Sequence, residues 1–138
     1  MQIIDAHQHF WDPSRGDYSW MPQDNKILNR KYDLKELSKD SRSIDLYKTV
    51  LVQAAATNAE TEYMLNIAEN SDLVSGIVGW VNFEDPNQLK QLKTFAKNPK
   101  FVGVRPMIQD ITDKNWVLNK DFDIFFKTII DLDLSFDA

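Results

Sequence analysis

His7 and His9 are the only histidines in this 138-residue chain, and a single glutamine separates them. They stand in the stretch "IIDAHQHFWD", directly after a short apolar run. Side chains alternate across a strand, so positions 7 and 9 share one side of it. Two imidazoles placed this way can share one divalent metal ion, and imidazole suits zinc and its neighbours. A catalytic zinc takes three protein ligands and keeps a position open for water. The chain has no cysteine and no third histidine, so any further ligand must be Asp or Glu. The same pair can equally serve as general acid–base groups without metal, or stand as plain surface residues. Spacing alone leaves all three readings open.

What positions the pair is a strand at the very start of the chain. Residues 10–32 follow, rich in aromatics, proline and aspartate without a clean period, and are read as a long loop. Long ordered loops in compact domains are often functional. Asp33 with Glu36 has the spacing of a capping box and opens a helix expected to run to about Ser43. "YKTVLVQAA" (47–55) is apolar and β-branched at consecutive positions, the mark of a strand buried on both faces. Thr57 with Glu60 is a second capping box, and Met64, Ile67 and Ala68 fall on one face of the helix behind it. "LVSGIVGWVNF" (73–83) is the next buried strand. Asp85-Pro86, with Gln88 completing a box, starts a helix striped by Leu89, Leu92 and Ala96. "KFVGVRPMI" (100–108) is a fourth strand, ended by Pro106. Phe122, Phe125, Phe126, Ile129 and Ile130 outline the clearest amphipathic helix, and "LDLSFDA" begins a fifth strand.

Strand and helix alternate four times before that last strand, which is the pattern of an α/β protein with a parallel sheet. No low-complexity segment, glycine-rich linker or repeat suggests an internal boundary, so residues 1–138 are expected to form one unit. Two architectures fit: a small doubly wound sheet, or about half of a (β/α)8 barrel, which needs roughly 250 residues. The formal charge of −5 argues against nucleic acid and anionic membranes as partners. The start carries no secretory signal pattern and no run reaches membrane-spanning length, so a cytoplasmic protein is the expectation.

"DAHQHFWDP" after an N-terminal strand resembles the amidohydrolase superfamily, whose barrels carry His-x-His at the end of strand one. "VLVQAAATNAETEYMLNIA", "VGWVNFEDP", "FVGVRPMIQD" and "LSFDA" follow in the order of one branch, the amidohydrolase-2 group that includes L-rhamnono-, L-fucono- and pyrone dicarboxylate lactonases. The resemblance covers nearly the whole chain. It implies the N-terminal half of a (β/α)8 TIM barrel, about four βα units plus the start of strand five. It also implies a hydrolase opening a sugar-acid or related lactone. The further histidine and catalytic aspartate of such families lie on later strands and have no counterpart here. The chain is therefore expected to be a truncated product or fragment, inactive alone.

His7 and His9 are the expected catalytic residues and the expected ligands of one divalent ion, zinc or manganese. Arg105, at the end of strand four, is the candidate clamp for a carboxylate or oxygen-rich anion, with a structural salt bridge as its ordinary alternative. The family often has a histidine after this arginine, where Pro106 stands here. Gln53 is a candidate substrate contact or a loop cap. Trp80 and Trp11 are candidate pocket walls or core residues, Gln109 and Asp110 possible rim contacts, and Asp5 a brace beneath the histidines or a structural hydrogen-bond acceptor. The rival reading is a non-catalytic half-barrel that self-assembles through its open edges. A small doubly wound binding domain is weaker, since no glycine-rich phosphate loop follows any strand.

Overall fold

The computed structural model describes all residues from Met1 to Ala138. Five parallel strands form one sheet: β1 (Ile3–Gln8), β2 (Leu46–Val52), β3 (Val74–Gly79), β4 (Phe101–Val104) and β5 (Ser135–Phe136). Their spatial order is the order of the sequence. A doubly wound sheet reverses direction at a switch point, and none exists here, so that alternative is set aside. The sheet curls as half of a barrel. Helices α1 (Leu34–Asp40), α2 (Asn58–Glu69), α3 (Gln88–Phe95) and α4 (Asp123–Asp131) form the crossovers. Right-handed crossovers taken in one direction place the helices on one face.

That face carries the main core. Leu51, Ile77 and Val104 from the strands, Met64 and Ala68 from α2, Leu92 and Phe95 from α3, and Phe125 and Ile129 from α4 are buried together. Phe83 stacks on Phe125 with ring centroids 4.7 Å apart. Gly79 marks the closest helix–sheet approach. A Cβ there would lie 2.7 Å from both Phe101 and Thr61, and the Thr61 hydroxyl uses that proximity to accept from Trp80 N and donate to Trp80 O. The opposite face is left open. Val50 and Val102 flank Gly76 there, and Ile4 and Val102 are 60% and 36% exposed. No helix is long and apolar enough to cross a membrane.

Each expected cap forms only in part. Asp33 accepts from the amides of Lys35 and Glu36, but Glu36 turns to Arg30 and Lys39 instead of back to the cap. Thr57 accepts from Glu60 N, while the Glu60 carboxylate points elsewhere. Asp85 accepts from Asn87 N, α3 starts two residues later than Pro86 implies, and Gln88 accepts from Asn58. The amphipathic face of α4 omits Ile130, which is 76% exposed.

Residues 10–32 are ordered by packing rather than by regular structure. A 3-10 turn at Pro13–Arg15 ends at Gly16, whose φ of 78° suits glycine. Trp11 and Tyr32 pair backbone to backbone across the base. The strap lays Tyr18 and Met21 on Ala54 and Ala55 as a second, smaller apolar cluster.

Candidate active site at the mouth of the half-barrel

His7 and His9 meet as expected. Their Nε2 atoms are 3.1 Å apart, with the imidazole planes at 76°. His9 Nδ1 lies 2.8 Å from Val52 O, at the end of the neighbouring strand. A carbonyl only accepts, so Nδ1 carries the proton and Nε2 presents its lone pair toward His7. Burial pushes the His9 pKa below 6.5; the Val52 carbonyl opposes this, while His7 and Arg105 add to it. A neutral His9 is the form required of a metal ligand or a general base. Asp5 Oδ1 accepts from the His7 backbone N–H, a local structural acceptor that does not touch either imidazole.

The pair fits a divalent ion as part of a ligand set. Two nitrogens on tetrahedral zinc lie about 3.4 Å apart, given Zn–N bonds of about 2.1 Å, and the observed 3.1 Å is within a few tenths of that. No group of three His, Cys, Asp or Glu side chains converges anywhere in the chain, so the remaining ligand is not supplied here.

Arg105 stands at the same mouth, held at three points. Its N–H donates to Gly79 O, its carbonyl accepts from Gln53 Nε2 at 2.8 Å, and its guanidinium lies 3.4 Å from Gln53 O. Asp137, beyond β5, is 3.9 Å from Arg105 Nε. Arg105, His9, Trp11, Trp20, Ala54 and Met107 line one open cavity of about 350 Å³, with Gln109 and Asp110 at its rim.

Two expected contacts move. Gln53 is wholly buried and does not line the cavity; its Nε2 donates to the Arg105 carbonyl while its Oε1 is left without a partner, so it braces Arg105. Trp80 lines an adjoining cavity of about 300 Å³ that shares only Met107 and Asp110 with the first. Trp20 and Ala54 join the site without a sequence signal, because the strap that carries Trp20 has no period. Asp137 had a weak one, as part of the "LSFDA" piece.

Residues 4–138 match the family model described as amidohydrolase (Amidohydro_2). The chain belongs to the amidohydrolase family. This amidohydrolase half-barrel is 33% identical over 135 residues to an L-fucono-1,5-lactonase of Burkholderia ambifaria, covering 98% of this chain and 47% of the relative. It is 32% identical over 120 residues to an L-fucono-1,5-lactonase of Burkholderia multivorans, covering 86% and 40%. Among solved structures, it matches an amidohydrolase of Burkholderia multivorans with bound zinc at a TM-score of 0.88 and 29% identity, over all of this chain and 49% of that one. The chain spans about half the length of the curated relatives it matches.

Proposed function

We propose that residues 1–138 form, as one unit, the N-terminal half of a lactone-hydrolysing amidohydrolase and carry the metal-facing and anion-facing parts of its site. The observation that carries this reading is the meeting of His7 and His9 Nε2, with His9 sharing one cavity with Arg105 at the same end of the sheet. The similarity to L-fucono-1,5-lactonases supports a sugar-acid lactone as substrate. The reaction adds water to the ring carbonyl and breaks the ring C–O bond, giving the open hydroxy acid.

His7 and His9 would hold the divalent ion through Nε2, and such an ion supplies carbonyl polarisation and a more acidic water when bound. The chain's own residues do the rest of what falls to this half. Val52 O fixes the His9 tautomer. Arg105 binds the carboxylate or hydroxyls of the substrate, and Gln53 keeps the guanidinium aimed. Trp11 and Trp20 supply the cavity's apolar wall. The general base belongs to later strands.

Zinc titration by calorimetry tests the pair. Weak binding that His7→Ala and His9→Ala each abolish is expected, because two ligands hold a metal loosely. Binding unchanged in both variants would sink the assignment. Hydrolysis of a sugar-acid lactone panel by the 138-residue chain is expected to be negligible. Robust turnover would show that the missing groups are not needed.

A second reading rests on the open sheet face. Exposed Ile4 and Val102 and two unpaired edge strands favour self-association. Sedimentation at low micromolar concentration should show species larger than a monomer, and a clean monomer would remove this reading.

A further inference from the structure

The amidohydrolase half-barrel contains one buried carboxylate that the proposed chemistry does not use. Glu60 sits in the first turn of α2 with no exposed surface. Its spacing from Thr57 suggests a capping role, yet its oxygens face the strap. Oε1 accepts from Ala54 N at 2.9 Å. Oε2 accepts from the Tyr18 hydroxyl at 2.9 Å and lies 3.3 Å from Arg15 Nη2. Arg15 is seated over the Tyr63 ring at 4.4 Å and is paired with Asp17, which accepts from the Thr57 hydroxyl.

Ala54 links this cluster to the cavity. Its N–H is held by Glu60, and its carbonyl accepts from the Trp20 indole at 2.6 Å. Trp20 in turn stands edge-to-face against Trp11, with centroids 5.8 Å apart. One carboxylate therefore fixes both attachments of Trp20, the Ala54 peptide and the Tyr18 anchor two residues before it, while Trp11 is held separately by its indole on Leu28 O and its pairing with Tyr32. Apolar contact is a weak fastener near Trp20, because the cluster beneath this part of the strap has only four buried residues and the main core takes only Phe10 at the strap's start.

We propose that Glu60 is a positioning residue that hangs the 10–32 strap over the mouth and so sets the shape of the Trp11–Trp20 wall against which the substrate ring lies. The substrate part rests on the lactonase reading; the strap part does not.

Indole N–H exchange in ¹⁵N-labelled protein tests it. The chain has four tryptophans. Trp116 donates to Glu84, outside the strap, and serves as the internal control. In Glu60→Gln, an amide N–H faces a donor, and loss of a charge-assisted bond should speed exchange at Trp20 about tenfold or more while Trp116 is unchanged. Tyr18→Phe removes one hydroxyl and should give a smaller loss at Trp20 with the fold retained, so the test survives if the Gln variant does not fold. L-fuconate, the open hydroxy acid, should bind the wild type and bind more weakly in both variants. Equal acceleration at Trp20 and Trp116, or none, overturns the proposal. A wild type that ignores L-fuconate strikes the lactonase reading, and the indole exchange still decides the strap assignment.

Discussion

The two buried clusters of this half-barrel are held in different ways. The large one, between sheet and helices, joins 16 residues and is apolar throughout. The small one, under the strap, has four, and around it stand Glu60, Arg15, Asp17 and the Tyr18 hydroxyl in a chain of directional bonds. Apolar burial is tolerant of direction and scales with area, so it suits a frame. Charge-assisted bonds are specific in angle and length, so they suit a wall whose placement decides what fits beside His9 and Arg105. The frame sets whether the protein folds; the polar cluster sets where two indoles stand.

The contrast is sharpest for truncations. Phe125→Ala removes a fully buried ring stacked on Phe83 and should cost about 4 kcal/mol. Denaturant unfolding should show it as a global loss with all probes moving together. Met21→Ala, in the small cluster, should cost about 2 kcal/mol, since a surface strap can settle into the gap. Its effect on indole exchange in the strap should exceed its effect at Trp116; a uniform effect would erase the distinction between the regions.

pH separates the two carboxylates around Arg15. Burial raises the Glu60 pKa above 4.5, against the pull of Ala54 N–H and Tyr18. Burial also opposes ionisation of Asp17, but bonds from Arg15 and Thr57 outweigh it and hold that pKa below 3.8. The Glu60 contribution to stability is thus fully present below about 4.5 and lost as pH rises through its folded value. The Asp17 contribution is present above 3.8 and lost as pH falls through its folded value. Stability differences between wild type and Glu60→Gln, and between wild type and Asp17→Asn, should therefore change with pH in opposite directions. Parallel curves from chemical denaturation at several pH values would show that the two groups share one environment.

The smallest effect belongs to the exposed Lys127–Asp131 pair on α4. Lys127→Ala should change stability by no more than about 0.5 kcal/mol.

The strands were legible because β2, β3 and β4 carry consecutive apolar residues, although the structure leaves one face of the sheet open, with Tyr47 and Val102 exposed. The histidine pair was legible because alternation alone puts positions 7 and 9 on one side. Sequential strand order, which separates the half-barrel from a doubly wound sheet, has no local signature, and only the resemblance pointed to it. The capping boxes located the helix starts after Asp33 and Thr57 but not the returning side chain, because box spacing records what a carboxylate can reach locally, whereas Glu60 is claimed by Tyr18, 42 residues away. Gln53 and Trp80 sit at strand ends as expected. Which way each turns is decided by neighbours, by the Arg105 carbonyl for one and by Thr61 fixing the backbone for the other.

The sequential strand order also bears on how the chain reaches this state. Thr49 pairs with Val74 and Ile77 with Phe101, whereas Ile3 must find Leu46 across the strap and α1. The longer closure costs about 0.5 kcal/mol more in chain entropy, and contacts that span more sequence tend to form later. In pulse-labelled refolding, amides of Val50 and Val78 should be protected before those of β1. The strand that brings His7 and His9 would then be the last to dock, so the imidazole pair would come into existence only in the final folding step.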